Sequence, residues 1–207
     1  MTTATTQPTV GLFVTCLVDL FRPSVGFASV ALLEAAGCRV VVPPSQTCCG
    51  QPAYNSGASE TTAQIARKVI AAFEACDYVA VPSGSCAAMI RLHYPTLFPD
   101  DPDMKARADV LADKCWELVS FLTDKLKYDS LQSKFDGAVT YHDGCSGLRE
   151  LGVRDQPRRL LDNIKGLELR ELAAPDICCG FGGAFCVKYP PISEAMADNK
   201  IDDIVAT

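Results

Sequence analysis

The chain is poor in several features that would each point to a function. It has no apolar run near the roughly 18 residues that a membrane-crossing helix needs, which argues against a helical span. Its opening, MTTATTQPTV, shows neither the charged nor the apolar region of a secretory signal. It has no basic stripe: 19 Lys and Arg face 25 Asp and Glu, for a net charge of -6. That balance argues against nucleic acid as a partner. Only two histidines occur, and no Ser-His-Asp or paired-carboxylate arrangement emerges, so hydrolysis has little support. Together these absences predict a soluble, cytoplasmic protein without a membrane span.

What is abundant is cysteine. Eleven cysteines lie in 207 residues, of which 48% are hydrophobic, enough for a proper core without staples. In a reducing compartment, clustered cysteines bind metal or do redox chemistry more often than they form disulfides. Two stretches stand out, QTCCGQPAYNSG at 46–57 and DICCGFGGAF at 176–185. Each holds Cys-Cys-Gly.

The hydrophobic pattern predicts alternating strands and helices. GLFVTC (11–16) reads as a buried strand, and Pro23 suits the start of a helix ended by Gly37. CRVVVP (38–43) is a second strand. Ser59 is placed as the N-cap of a helix to about 75, and YVAVP (78–82) is a third strand followed by a short helix. Residues 105–127 read as one amphipathic helix, with Leu111, Cys115, Leu118 and Leu122 on one face. The cycle then restarts. GAVTYHDGC (137–145) reads as a strand ending in a cysteine, 157–164 as a helix, LELREL (167–172) as a strand, and 192–206 as a helix. The βαβ alternation predicts an α/β fold of two pseudo-symmetric Rossmann-like parallel-sheet halves. The boundary is placed near 128–136, giving units 1–130 and 131–207.

The cysteines make the repeat visible. Cys16 precedes Cys48 by 32 positions and Cys145 precedes Cys178 by 33. Each lone cysteine ends a first strand and each CCG follows a second. Parallel strands present their carboxyl ends at one edge, where open α/β folds bind ligands. Cys86, after the third strand, adds a fourth thiol 37 positions past Cys49. The same interval from Cys179 reaches position 216, beyond Thr207. The second half is therefore expected to lack its final strand.

Four converging thiolates suit tetrahedral zinc or an iron–sulfur cluster. Zinc sites favour compact CxxC hairpins, whereas these ligands come from three loops and two are adjacent, an arrangement a multi-iron centre accepts more readily. Gly50 and Gly180 would let the loops turn close to the sulfurs. GFGG as a nucleotide-phosphate loop is the weaker reading, since no GxGxxG follows the first strand. A zinc-bound scaffold and a thiol–disulfide enzyme stay open as alternatives.

These motifs resemble the cysteine-rich CCG domain family, found in heterodisulfide reductase and in the iron–sulfur subunits of glycolate oxidase and anaerobic glycerol-3-phosphate dehydrogenase. CCGQPAYNSG, PSGSC, YHDGC, LRELGV and CCGFGGAF resemble the lactate-utilisation branch over nearly all of residues 10 to 207. Where the wider motif has CxxC, this chain has Ser83-Gly84-Ser85-Cys86, keeping only the second cysteine. The resemblance implies an iron–sulfur electron-transfer subunit of an L-lactate-oxidising system, acting with two sibling subunits. It implies a [4Fe–4S]-type cluster on Cys16, Cys48, Cys49 and Cys86, and a second set of Cys145, Cys178 and Cys179. It also implies a further strand and cysteine past the second CCG. Among the rest, Cys38, Cys76 and Cys115 read as structural, and Cys186 as packing or a substitute ligand. His142 could tune the centre, carry protons or be structural. His93 receives no role, and Asp143 and Arg149 read as ordinary loop and helix-start residues.

Overall fold

A computed structural model describes residues 7–128, 131 and 133–207. The expected boundary at 128–136 falls in part on residues 129, 130 and 132, outside the described residues. The first half runs β1 (Thr9–Leu12), α1 (Cys16–Phe21), α2 (Pro23–Ala35), β2 (Arg39–Val41), α3 (Gln51–Asn55), α4 (Ser59–Phe73), β3 (Tyr78–Val81) and α5 (Gly84–Ala88). It continues through α6 (Pro102–Lys114), β4 (Cys115–Glu117) and α7 (Leu118–Ser120). The second half holds β5 (Lys134–Val139), α8 (Cys145–Leu151), α9 (Asp155–Asp162), β6 (Lys165–Leu169), α10 (Ala184–Lys188) and α11 (Pro190–Ala206).

The fold is α/β, with two Rossmann-like parallel halves. The first sheet has the order β2-β1-β3-β4 and every neighbouring pair is parallel. The second pairs β5 with β6, also parallel. Among the described residues no counterpart of β3 follows the second CCG.

Apolar side chains cover both faces of the first sheet. Phe13, Phe73, Met89, Tyr94 and Leu111 fill one side. Leu12, Leu33, Phe121, Leu122 and Leu160 fill the other. Phe13, Phe73 and Phe121 are fully buried, and burying one such side chain contributes about 1.5–3 kcal/mol. Leu160 comes from the second half, so this second core cluster crosses between the halves.

Three expectations need correction. The helix expected over 105–127 breaks at Cys115. Residues Cys115–Glu117 pair with Val79–Val81 as the fourth strand, and Leu118 starts α7. The apolar positions at helical spacing are buried all the same, but they are divided between the two faces of the sheet, Leu111 and Cys115 on one and Leu118 and Leu122 on the other. Next, the lone cysteines do not end strands. β1 stops at Leu12 and β5 at Val139, and Cys16 and Cys145 each open a helix. Finally, Ser59 is the first residue of α4 and not its cap. Ala58 takes the cap position with no side-chain bond.

The halves meet most closely where α5 crosses α8. A Cβ built on Gly84 would lie 2.7 Å from the Gly147 Cα and 2.9 Å from its nitrogen. Both contacts are to backbone, which cannot swing aside. Gly84→Ala is therefore expected to destabilise the chain by about 1–3 kcal/mol, the cost of overpacking a close contact. A denaturant midpoint equal to that of the parent would disprove the contact.

Candidate functional site: two cysteine clusters at the sheet edges

In the first half, the strand exits are tied together by side chains. Gln46, just before the CCG, uses its whole amide. Its Oε1 accepts from the Val14 N–H at 2.8 Å and its Nε2 donates to the Leu12 carbonyl at 3.3 Å. The chain beyond β1 is thereby fixed beside the CCG loop. Thr15 follows with φ 57 and ψ 144, a costly conformation for a β-branched residue. Its hydroxyl accepts from the Val18 N–H at 3.3 Å and caps α1, whose first residue is Cys16. Gly50 has φ +84, which turns its N–H onto the Cys48 sulfur at 3.5 Å. The fully buried Tyr94 donates its hydroxyl to the Cys49 carbonyl at 2.9 Å. Ser83 caps α5 by accepting from the Cys86 N–H.

These supports bring the four thiols together in two pairs. Cys16 Sγ lies 3.8 Å from Cys48 Sγ, and Cys49 Sγ lies 3.3 Å from Cys86 Sγ. A disulfide would be near 2.05 Å, so these are thiol contacts. Donors and acceptors alternate. Cys16 donates to Cys48 and Cys49 to Cys86; the neighbouring Cys49 thiol, and after it the amide of Gly50, pull the Cys48 thiol down to about 5 against its burial. Cys86 is lowered, first by Cys49 and then, against burial, by the hydroxyls of Ser83 and Ser85. Cys49 is pushed far up by its thiol neighbours Cys48 and Cys86 and by burial. Burial, then Cys48, raises Cys16.

A cavity of about 640 Å³ touches all four of these cysteines. Its roof comes from the second half, through Phe181, Gly183, Ala184, Val187 and Lys188. Lys188 Nζ also reaches Ser56 Oγ at 3.3 Å, pinning α10 to the first half. Soft sulfur donors with such room fit an iron–sulfur centre. Among the described residues, no group of three or more His, Cys, Asp or Glu side chains is arranged around a single-ion position.

In the second half, Cys145, Cys178 and Cys179 line one cleft of about 510 Å³. First-half residues Ser83, Ser85, His93 and Glu117 close its other side. The two cysteine loops are laced together by Pro175, whose carbonyl accepts from the Asp143 N–H at 3.0 Å and faces His142 Nδ1 at 3.0 Å. A carbonyl only accepts, so Nδ1 is the donating nitrogen in this contact.

Asp143 is more than a loop residue. It is 2% exposed, and both its oxygens accept from Arg158, at 2.9 and 3.0 Å. Arg158 also binds Glu171. This pairing ties α9 to the loop that leads into Cys145. His93 likewise has neighbours that its sequence context hides. Its Nε2 lies 3.6 Å from Glu150 Oε1 across the halves, and its ring packs on Tyr54 at 4.8 Å. Glu117, at the carboxyl end of β4, is held above the usual carboxylate range by burial. The sequence hides its place because β4 reads as helix.

Cys38, Cys76 and Cys115 are buried in the two core clusters. Cys186 lies in α10 with its thiol donating to the Gly183 carbonyl at 3.1 Å, off the cleft of the second set.

With both clusters placed, comparison with known proteins decides the family. The sequence signature of the cysteine-rich domain, CCG, matches residues 10–91 and 139–207. The chain belongs to the CCG cysteine-rich domain family. The first matched segment contains Cys16, Cys48, Cys49 and Cys86, and the second contains Cys145, Cys178 and Cys179. This CCG chain is also 52% identical over 195 residues to the lactate utilization protein A of Geobacillus kaustophilus, covering 94% of this chain and 81% of that protein. It is 48% identical over 198 residues to the protein of the same name from Bacillus cytotoxicus, covering 96% and 82%. A third, from a Geobacillus species, is 49% identical over 195 residues, covering 94% and 82%.

The Asp143–Arg158 pair makes a prediction. Arg158→Met leaves a buried carboxylate without its partner, at an expected cost of about 3 kcal/mol. Asp143→Asn combined with Arg158→Met should recover part of that loss. Thermal unfolding of the parent, the single and the double variant checks it. A single variant as stable as the parent would contradict the pairing.

Proposed function

We propose that this CCG chain is the iron–sulfur electron-transfer subunit of a system that oxidises L-lactate to pyruvate. The similarity to proteins named lactate utilization protein A supports the pathway. The observation that carries the chemistry is the convergence of Cys16, Cys48, Cys49 and Cys86, from three loops, on one cavity. These four would hold a [4Fe–4S]-type cluster, and Cys145, Cys178 and Cys179 would ligate a second centre. When bound, a cluster supplies a one-electron carrier, while lactate oxidation releases two electrons and two protons. The chain's own residues do the rest. The thiolates fix the centre, the Gly50 amide offers a hydrogen bond to the Cys48 sulfur, and the roof of Phe181 to Lys188 limits water. The proposal includes two CCG domains at 1–130 and 131–207. It also includes two sibling subunits as partners and a cytoplasmic setting, where thiols stay reduced.

One observation favours a second reading, thiol–disulfide chemistry. Cys49 and Cys86 are already in contact, and Cys48 is readily ionised.

The test is iron, zinc and acid-labile sulfide analysis with a visible spectrum, on protein purified without oxygen. About four irons and four sulfides per filled centre, with broad visible absorption, are expected. Cys16→Ala should remove the metal of the first centre. Stoichiometric zinc without sulfide would overturn the electron-transfer reading in favour of a scaffold. Undiminished thiol–disulfide activity in metal-free Cys16→Ala would favour the thiol reading.

A further inference from the structure

Helix α11 is built inside out. The two residues it buries are Ser193 and Lys200, while Ile201 and Ile204 stay exposed. Lys200 is 5% exposed, and a lysine is almost never buried without partners. Its partners show what the burial serves. Nζ donates to the Ala174 carbonyl at 2.6 Å and lies 3.7 Å from Asp203 Oδ2. Asp203 accepts from the Ala173 and Ala174 N–H groups at 3.1 and 3.2 Å. Nearer the start of the helix, the buried Ser193 hydroxyl donates to the Gly180 carbonyl at 2.9 Å. A Cβ built on Gly180 would lie 2.5 Å from the Ser193 carbonyl oxygen and 2.9 Å from Met196 Cβ. Loop and helix are in direct contact there.

These three anchor points, Ala173, Ala174 and Gly180, bracket Cys178 and Cys179. Pro175 follows the anchored alanines, and its carbonyl accepts from the Asp143 N–H in the loop that leads to Cys145. The first half seats its own pair differently. There α4 follows the CCG, and a Cβ on Gly50 would meet Ile65 and Thr62 at 3.4 and 3.6 Å. Helix α4 buries Ala66, Val69, Ile70 and Phe73, and the Thr62 hydroxyl donates to the Ala58 carbonyl at the cap of its own helix. Among the described residues, no side chain of α4 hydrogen-bonds the first CCG loop.

We infer that α11 is a polar clamp, in which Ser193, Lys200 and Asp203 are positioning residues that set the Cys178-Cys179 loop for ligation. The ligation rests on the iron–sulfur reading above, and the clamp itself does not. An apolar side chain of like volume would fill the place of Lys200 about as favourably. Apolar contact is non-directional, however, and would not select one placement of the loop. Hydrogen bonds to two N–H groups and two carbonyls do, because each weakens steeply when misaligned. The loop has much freedom to restrain, since Gly180, Gly182 and Gly183 all take positive φ.

The test is peptide-resolved hydrogen exchange on the reduced full chain, with iron, sulfide and electron paramagnetic resonance measured on the same samples. In Lys200→Met the amides of residues 173–180 should exchange about tenfold faster, as expected for the loss of one hydrogen bond from a charged donor. Those of residues 46–50 should keep the parent rate. Asp203→Ala should act in the same way. In both variants the second centre should lose iron or change its resonance line, and the first should keep both. Exchange at 173–180 equal to that of the parent would overturn the clamp. Equal acceleration at 46–50 would mean a general loosening and overturn it too. Faster exchange at 173–180, with the loading and line of the second centre unchanged, would sink the role in ligation. A parent chain that binds no iron or sulfide would remove the iron–sulfur reading, and the clamp would then stand or fall on the exchange rates alone.

Discussion

The parallel pairing of β1 with β2 on one side and β3 on the other is the constraint on which the site depends. Thr9 to Gly11 align with Arg39 to Val41, and Val10 to Leu12 with Tyr78 to Ala80. All three strands run the same way, so the chain leaves each at one edge. Had any one strand run backwards, its cysteine would sit a strand length away, about 10–13 Å for three or four residues. No side-chain adjustment spans that distance. Gln46, Thr15 and Tyr94 only set the last few ångströms of a convergence that the sheet has already imposed.

The two halves repeat this plan without standing apart. Cys16 and Cys145 both open helices, and Gly50 and Gly180 both take positive φ after their cysteine pairs. They differ in what comes next. After Gly50 the chain enters α3 directly. After Gly180 it runs through two more glycines into α10, which lies over the first half's cavity. With the glycine contact of α5 on α8 and with Leu160 in a shared core, this makes the halves one structural unit around two sites.

Much of this was legible in the sequence, for identifiable reasons. Cysteine spacing survives folding because it counts residues between strand ends, and the repeat fixes those ends to within a few positions. Strand β4 was not legible. Cys115, Trp116 and Glu117 continue a helical spacing of apolar residues, and only the vacant side of β3 turns them into a strand. Asp143 looked ordinary because its meaning lies in Arg158, fifteen residues away, and in the burial that the pair shares. His93 was silent for the same reason, since Glu150 faces it only once α8 has docked. The serines of PSGSC read as the loss of a cysteine, and the fold shows them lining both cavities. Sequence pattern reports which strands and loops exist. It does not report which long-range partner a polar side chain will find.

The roof over the first cavity has a consequence in time. A chain is made from its amino end, and domains tend to fold as they emerge. Cys16, Cys48, Cys49 and Cys86 are all translated well before Phe181 to Lys188 exist. The first half can therefore leave the ribosome with its four thiols gathered and uncovered, and the lid arrives only after about a hundred further residues have been added. Whatever is to be installed there has free access early and must pass a closed door later, so the order of translation is also an order of assembly.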